Sequence, residues 1–363
     1  MRRVWIRFFL VLACASAFAA SPDPTSFWDQ SITVRSWSGY KDNVLLGNVN
    51  VEESPLLGAG LDLMLLRLST SGTEFYFFVS GDFIYYPDAE QAENEKTLIA
   101  QARLKKPLGA GWEIGTAMDY LFFDQVFDAS TLDRELASVR ALGHSVGVRP
   151  FIRKNFGRKN WFETELVLTR QQFKDLLDDY WEIGPIFTLG REFGYKSSVA
   201  LSYQFFKRVS DTRSPRDLDG RLLEGTLEDH RHEVTLAWRQ HWDEKRRWRT
   251  TTKIGFERNF DNGTGYYDFL RPILSEQIRF RSGTWELRAE AKLSHYDYDL
   301  QRVSDTDPSL RAKTNLNLEF RVEKELIRNL KIFAAYEHER SISNLATDEY
   351  KVNTSFGGIE FEF

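Results

Sequence analysis

Apolar and polar residues alternate along most of the chain, in stretches of about ten or more residues that end in turns. From Trp285 to Leu293, every odd position is apolar and every even position is charged. A strand sends successive side chains to opposite faces, whereas a helix of this sequence would mix the two sets on every face. The pattern therefore predicts a strand with one apolar and one charged face.

The same alternation recurs through the chain, and we expect sixteen strands, within a range of about 14 to 18. The predicted strands lie near 27–38, 56–68, 73–86, 96–107, 111–124, 138–154, 160–173, 179–192, 195–208, 229–242, 247–260, 268–281, 284–299, 311–325, 329–341 and 349–363.

The connections between these segments alternate in length. Short ones such as 108–110, 193–194 and 282–283 separate longer, more polar ones such as 39–55 and 209–228. An antiparallel meander with tight turns at one rim and long loops at the other produces this alternation. The predicted fold class is all-β, a transmembrane antiparallel up-and-down β-barrel with short periplasmic turns and long extracellular loops. A soluble β-sandwich, with shorter strands and less regular connections, is the alternative.

Composition narrows the class of protein. The 363 residues are 42% hydrophobic, 28% charged and 14% aromatic, with a formal charge of −5. No run of 18 apolar residues occurs, which excludes a bundle of membrane-spanning helices. A strand in a barrel needs an apolar residue only at every second position, so this polar average suits a β-barrel. The aromatic content argues against disorder, and the acidic balance argues against nucleic acid as a partner.

The N-terminal residues have the layout of a secretory signal peptide. Arginines at 2, 3 and 7 precede an apolar stretch at 8–15, and Ala17-Phe18-Ala19 has the small-x-small form that signal peptidase cuts after. A lipoprotein signal ending at Cys14 is the alternative. We expect a signal peptide at 1–19, a short segment at 20–26 and one barrel domain at 27–363. Cleavage would remove Cys14, the only cysteine in the sequence, and with it any disulfide or thiolate chemistry.

Aromatic residues collect at both ends of the predicted strands. Those beside long loops are Tyr85, Tyr86, Phe122, Phe123, Phe205, Phe206, Tyr266, Tyr267, Tyr296 and Tyr298. Two such bands are what the two lipid–water interfaces select. The predicted girdle beside the short turns comprises Trp112, Trp161, Trp242, Trp248, Trp285 and Phe363.

The last segment, Gly357-Gly358-Ile359-Glu360-Phe361-Glu362-Phe363, alternates and stops on phenylalanine. It resembles the closing strand of Gram-negative outer-membrane β-barrels of the porin type. The resemblance implies a location in the outer membrane, contact with its lipid, and recognition of the final strand by the barrel assembly machinery. The apolar positions change parity across the two glycines, so we expect a β-bulge there.

A second resemblance lies at Ser38-Gly39-Tyr40-Lys41-Asp42-Asn43-Val44, followed by Glu53-Ser54-Pro55. This stretch is similar to the start of the barrel domains of outer-membrane proteins for exopolysaccharide export or surface lipoprotein display. In those proteins a Gly-Tyr-x-x-Asn-Val segment follows the first strand. The resemblance implies a polar solute or polysaccharide as a partner.

A barrel of about sixteen strands is wide enough to hold water, so function is expected among inward residues. These residues either line a polar permeation path or form salt-bridge ladders that only keep the lumen rigid. Opposite charges are interspersed among them, so the sequence predicts no ion selectivity. The pore-lining candidates are Arg103, Lys105, Glu113, Asp119, Arg149, Glu163, Glu165, Arg249, Lys253, Glu286, Arg288, Glu290, Lys292, Lys313, Glu319, Arg321, Lys331 and Glu337.

Catalytic chemistry finds little support in the sequence. The Ser-His neighbours at 144–145 and 294–295 are adjacent on strands, so their side chains point to opposite faces and cannot act as nucleophile and base. Asp229 with His230 and His232 could bind a metal, although histidines near a long loop are more often solvated. We therefore predict no catalytic residue, no metal site and no cofactor.

The sequence thus favours a porin-like channel for polar solutes or saccharides through a charged, water-filled lumen. Two alternatives stay open. One is a structural or partner-binding barrel with a blocked lumen, and the other is a membrane-embedded hydrolase.

Overall fold

The computed structural model describes residues 28–49, 51–68, 72–130, 138–174, 177–304 and 306–363, and the predicted signal peptide and the segment 20–26 lie outside them. The described residues form sixteen strands and a short 3-10 helix at Ala346–Asp348. The strands are β1 (Trp28–Lys41), β2 (Ser54–Arg67), β3 (Glu74–Tyr85), β4 (Asn94–Gly109), β5 (Trp112–Asp128), β6 (Ser138–Phe156), β7 (Asn160–Phe173), β8 (Tyr180–Phe193), β9 (Ser197–Ser210), β10 (Glu228–His241), β11 (Trp248–Asp261), β12 (Phe269–Ser282), β13 (Trp285–Arg302), β14 (Leu310–Ile327), β15 (Leu330–Ser343) and β16 (Tyr350–Glu362).

The strands form one closed antiparallel sheet. Each strand pairs with the next along the chain, and β1 pairs with β16 to complete the ring, with Arg35 opposite Glu360. The predicted all-β up-and-down barrel and its strand number are confirmed. Among the residues described, no helix is long and apolar enough to cross a membrane.

Alternation along each strand separates an apolar outer face from a polar inner face. On β13, Trp285 and Leu293 are exposed on the outside, whereas Glu286 and Ser294 are buried on the inside. The outer face is suited to lipid tails, because the sheet satisfies its own backbone hydrogen bonds and closure leaves no free edge. The inner face holds most of the charged strand residues.

The predicted β-bulge at Gly357 and Gly358 is wrong. Both glycines pair in unbroken register with β1 and with β15. The apolar residues before them, Tyr350, Val352 and Phe356, change parity because they point into the barrel instead of towards lipid. Apolar residues inside the barrel therefore explain the apparent shift.

These inward apolar residues belong to a cluster inside the barrel at the long-loop end. Its core contains Val44 and Leu46 from the loop between β1 and β2, with Leu56, Tyr86, Ala89, Ala92, Val126, Tyr350 and Val352. Val44 is fully buried. The first long loop thus folds into the barrel and packs against its wall.

Candidate functional site

The inward fold of the first long loop depends on Asn43. Its side-chain amide donates to the backbone oxygens of Gly47 at 2.8 Å and Lys351 at 3.0 Å, and its oxygen accepts from the Gly47 amide at 3.0 Å. Asn43 is buried, so these bonds satisfy polar groups that would otherwise be costly to enclose. The segment noted at Ser38–Val44 therefore positions a loop that partly closes the lumen.

A second segment crosses the lumen to the far wall. At the end of β5, Asp128 forms an ion pair with Lys313 of β14, and the backbone oxygen of Ser130 accepts from Arg311 of β14 at 2.9 Å. These strands lie on nearly opposite sides of the ring. The first loop and the crossing segment, residues 42–49 and 126–130, are together called the plug below.

Arg311 holds the plug to β14. Its side chain is 1% exposed, donates to Asp348 at 2.8 Å and to Gln301 at 2.9 Å, and lies over the Tyr298 ring. Burial raises the pKa of Asp348 in the 3-10 helix, and the neighbouring guanidinium offsets part of the shift. A buried pair of this kind is strongly destabilised when one partner is removed.

The wall formed by β9 to β13 is rich in cations. Its inward positions carry six carboxylates, Asp229, Glu233, Glu257, Asp261, Glu286 and Glu290. They also carry ten cations, namely Arg208, Arg231, Arg239, Arg249, Lys253, Arg271, Arg279, Arg281, Arg288 and Lys292. This side of the lumen is therefore positive, and we call it the basic wall.

Four cations of the basic wall form no ion pair with any residue that the structure describes: Arg239, Arg249, Lys253 and Lys292. Arg249 donates only to the neutral side chain of Gln277, at 3.3 Å. Lys253 and Lys292 lie in one row of the sheet, separated by Ser275 of β12. The wall therefore has four more cations than carboxylates, and its net charge is positive.

Carboxylates collect on the side of the lumen that faces the plug. A cavity of about 270 Å³ is lined by Lys41, Glu95, Asp128, Glu337 and Glu339, with other plug and wall residues. Lys41 pairs with Glu95 at 3.4 Å. The two sides of the lumen thus differ in sign, which the interspersed charges of the sequence did not indicate.

Four predicted pore-lining residues meet at the short-turn end of β4 to β7. Lys105 pairs with Glu113 at 3.7 Å, and Arg103 pairs with Glu163 at 3.8 Å. They line a cavity of about 260 Å³ together with Arg153. Here opposite charges cancel, as in the salt-bridge ladders considered from the sequence.

The other predicted pore-lining residues also lie on inward positions. Arg149 donates to Asp119 at 2.9 Å, and Glu290 accepts from Gln277 at 3.0 Å. Arg288, with two further arginines, pairs with Glu286, while Arg321 pairs with Glu323 and Glu360. Within the described ranges, those for which no ion pair is found are Glu165, Glu290, Glu319, Lys331 and Glu337, besides the basic-wall cations above.

Lys313 does not line the pore, although the sequence predicted that it would. It is fully buried beneath the crossing segment, where it binds Asp128 and the hydroxyl of Ser130. It therefore anchors the plug and does not line open space.

Some of the aromatic residues predicted to lie at the lipid–water interfaces are on the outer face, and others are not. Trp112, Trp242, Trp248, Trp285 and Phe363 are all exposed on the outside near the short turns. Trp161 faces the lumen, because Phe162 occupies the outward position and Arg153 lies 4.2 Å above the Trp161 ring. In the band near the long loops, Tyr86, Phe123, Tyr266, Tyr296 and Tyr298 are buried and do not face lipid.

The candidate catalytic neighbours lie on opposite faces of their strands. His144 contacts Gln172 at 3.1 Å on the outside, and His295 contacts Thr314 there at 2.7 Å, whereas Ser294 is buried inside. His232 contacts Tyr203 on the outside, and Asp229 accepts from Asn259 inside. These side chains do not meet in a common site.

Sequence reasoning missed the residues that build the plug: Asp128, Ser130, Arg311 and Asp348. Arg311 and Lys313 occupy inward positions of one strand, which parity does indicate. Their acidic partners, Asp128 and Asp348, lie at the end of β5 and in a 3-10 helix, 185 and 37 positions away along the chain, so no periodic pattern could have paired them. Arg239 was missed too, although its parity matches that of Ala237 on the inner face.

A closed sixteen-strand antiparallel barrel with a folded-in loop has the architecture of outer-membrane porins. No protein-family model matches the chain, and no curated protein sequence matches it. Solved porin structures share its fold at very low identity. Pseudomonas aeruginosa OccK9 (OpdG) is 10% identical, with a TM-score of 0.50 over 93% of this chain and 98% of that one. A BenF-like porin from Pseudomonas fluorescens Pf-5 is 10% identical, with a TM-score of 0.50 over 93% of this chain and 99% of that one. Acinetobacter baumannii OccAB1 is 8% identical, with a TM-score of 0.50 over 93% of this chain and 97% of that one.

Proposed function

We propose that the protein is an outer-membrane channel for small polar solutes and that it prefers anions. The observation that carries this proposal is the group of unpaired cations on the basic wall: Arg239, Arg249, Lys253 and Lys292. Charges lining a narrow, water-filled passage select permeant ions of opposite sign. Acidic saccharides belong to the same class of solute.

The plug determines where the solute passes. It fills the part of the mouth beside β1, β2, β3 and β16 and is anchored on β14, which leaves the side lined by the basic wall. A cavity of about 110 Å³ on that side is lined by Arg208, Arg231, Arg271 and nearby tyrosines. An anion entering there meets arginines first and the unpaired cations of the same wall further in. The protein supplies a path and an electrostatic field for the solute, and no catalytic step is proposed.

The apolar outer face supports a position in the outer membrane, with the short turns at the periplasmic rim. Girdle residues such as Trp285 and Phe363 are placed to sit at that lipid–water interface. We further propose that β16, which ends beside Phe363 and pairs with β1, is the strand that the barrel assembly machinery engages.

The test is conductance of the purified, folded protein in planar bilayers under a potassium chloride gradient. We expect open-channel current and a reversal potential whose sign shows chloride more permeable than potassium. The combined variant Arg239→Gln, Arg249→Gln and Lys253→Gln should move the reversal potential towards potassium, because it removes three lumen cations.

Arg258→Gln is the control, since Arg258 is on the outer face near a long loop and pairs with Asp299. It removes one positive charge without touching the lumen, so the reversal potential should stay where it is. A folded wild-type barrel that prefers potassium would refute the anion preference. A folded barrel with no current would refute the open channel.

A second candidate is a barrel that stays closed until a partner displaces the plug. The buried contacts of Arg311 and Lys313 favour it, because they hold the crossing segment across the lumen. It predicts no current from the wild type and measurable current from Arg311→Ala. Current from the wild type of similar size to that of this variant would exclude it.

A further inference from the structure

Glu276 places a charged side chain on the outer surface, which faces lipid. It lies in the middle of the 14-residue β12, between the exposed outward residues Leu274 and Ile278 of the same face. Other charged side chains that face outward, within the residues the structure describes, lie towards strand ends, as do Arg67, Lys154 and Arg258. Glu276 therefore sits at the depth of the lipid tails.

The carboxyl group of Glu276 has few hydrogen-bond partners for a polar group that faces lipid tails. The Thr252 hydroxyl donates to Oε2 of Glu276, and the structure shows no ion pair between Glu276 and any described residue. On the other side of Glu276 the neighbour in register is Ala291, which has no polar side chain. A polar side chain facing lipid tails costs free energy unless a partner bonds to it, and lipid tails supply neither donors nor acceptors.

The outer surface around Glu276 also carries small side chains. Thr250, Thr252, Ala289 and Ala291 are its small outward neighbours on β11 and β13. Small residues on a lipid-facing surface let another protein surface approach closely. The larger side chains that border this area are Trp238, Ile254, Leu274, Ile278 and Leu293.

We propose that this face, the outward surface of β11 to β13 centred on Glu276, binds a second copy of the chain. In a dimer with its two-fold axis along the membrane normal, each residue keeps its depth, so Glu276 meets the same residue of the partner subunit. One carboxyl group, when protonated, can then donate a hydrogen bond to the other across the axis. No outward cation at this depth, in the part of the chain that the structure describes, offers a different partner.

Disulfide capture in native membranes tests the arrangement. Ala291→Cys places a thiol beside Glu276, close to the proposed axis, and Cys14, the only natural cysteine, lies in the predicted signal peptide. Ala102→Cys is the matched control, because Ala102 faces outward on β4, on the opposite side of the ring. We expect a cross-linked dimer from the first variant only. Equal cross-linking by both, or none by either, would overturn the proposal.

Substitutions of Glu276 test its chemistry. Glu276→Gln keeps a donor and an acceptor and should preserve the dimer in detergent. Glu276→Leu removes both and should raise the dimer dissociation constant about tenfold, measured by analytical ultracentrifugation. Leucine suits a lipid-facing strand position, so the variant should fold, and the gel shift between unheated and heated samples checks that it does. A Glu276→Leu variant that dimerises as tightly as the wild type would refute the role of the carboxyl group.

Discussion

Single glycines on the inner face make room for large rings of neighbouring strands. Trp37 of β1 lies over Gly58 of β2, and Trp161 of β7 lies over Gly190 of β8. A Cβ atom at Gly58 would be 1.9 Å from Cε2 of Trp37, closer than any two carbon atoms can pack. These glycines therefore fix where the rings lie in the lumen.

Gly58→Ala should lower the free energy of unfolding by about 1 to 3 kcal/mol, because Trp37 must leave its place. Urea unfolding followed by tryptophan fluorescence measures the change. Gly81→Ala on β3 is the matched control, since a Cβ there meets Leu98 at an ordinary 3.4 Å. The control should be neutral or slightly stabilising. Equal loss in both variants would mean that strand conformation, and not the ring, explains the effect.

At the scale of elements, the plug joins one barrel wall to the other through buried polar contacts. Arg311 connects the backbone of Ser130, the side chain of Gln301 and the 3-10 helix at Asp348. Lys313, one inward position further along β14, binds Asp128 and Ser130. The plug is thus attached at several points and behaves as part of the barrel wall.

Arg311→Ala should destabilise the fold by about 3 to 5 kcal/mol, because it leaves Asp348 buried without its counter-charge. It should also raise the single-channel conductance in planar bilayers, because the crossing segment loses its main anchor. Arg340→Ala removes an exposed arginine from the outer face of the neighbouring β15 and should change neither quantity. Unchanged conductance of Arg311→Ala would show that the plug does not limit the passage.

The strands could be predicted from the sequence because alternation with period two marks them, and the predicted and observed bounds differ by only a few residues. Errors arose where an apolar side chain faces inward, because sequence parity alone assigns it to lipid. Val352 and Tyr350 produced a false bulge in this way, and Trp161 was placed in the girdle. The plug could not be predicted, since its contacts join residues as distant as Ser130 and Arg311.

At the scale of the whole molecule, the closed sheet keeps two surfaces of different chemistry apart. The outside is mostly apolar, with Glu276 as its charged residue away from the strand ends within the described ranges, and the inside is charged, with cations on one wall and carboxylates beside the plug. The odd or even position of a residue along its strand determines which surface its side chain faces, and its residue type does not. Tryptophans illustrate this, since Trp285 is exposed on the outer face and Trp161 lies inside.

Fluorescence quenching can therefore test the position of the barrel in the bilayer. In vesicles of lipids brominated near the headgroup, bromine should quench Trp285 because its ring lies in the interfacial zone. Replacing it, as Trp285→Phe, should reduce the fraction of emission that the lipid quenches. Trp161→Phe should leave that amount of quenched emission unchanged and reduce the part that aqueous iodide quenches, because Trp161 faces the lumen beneath Arg153. If Trp161→Phe instead removed lipid-quenched emission, the assignment of inner and outer faces on β7 would be wrong. The inward candidates Glu163 and Glu165, which share its parity, would then face lipid as well.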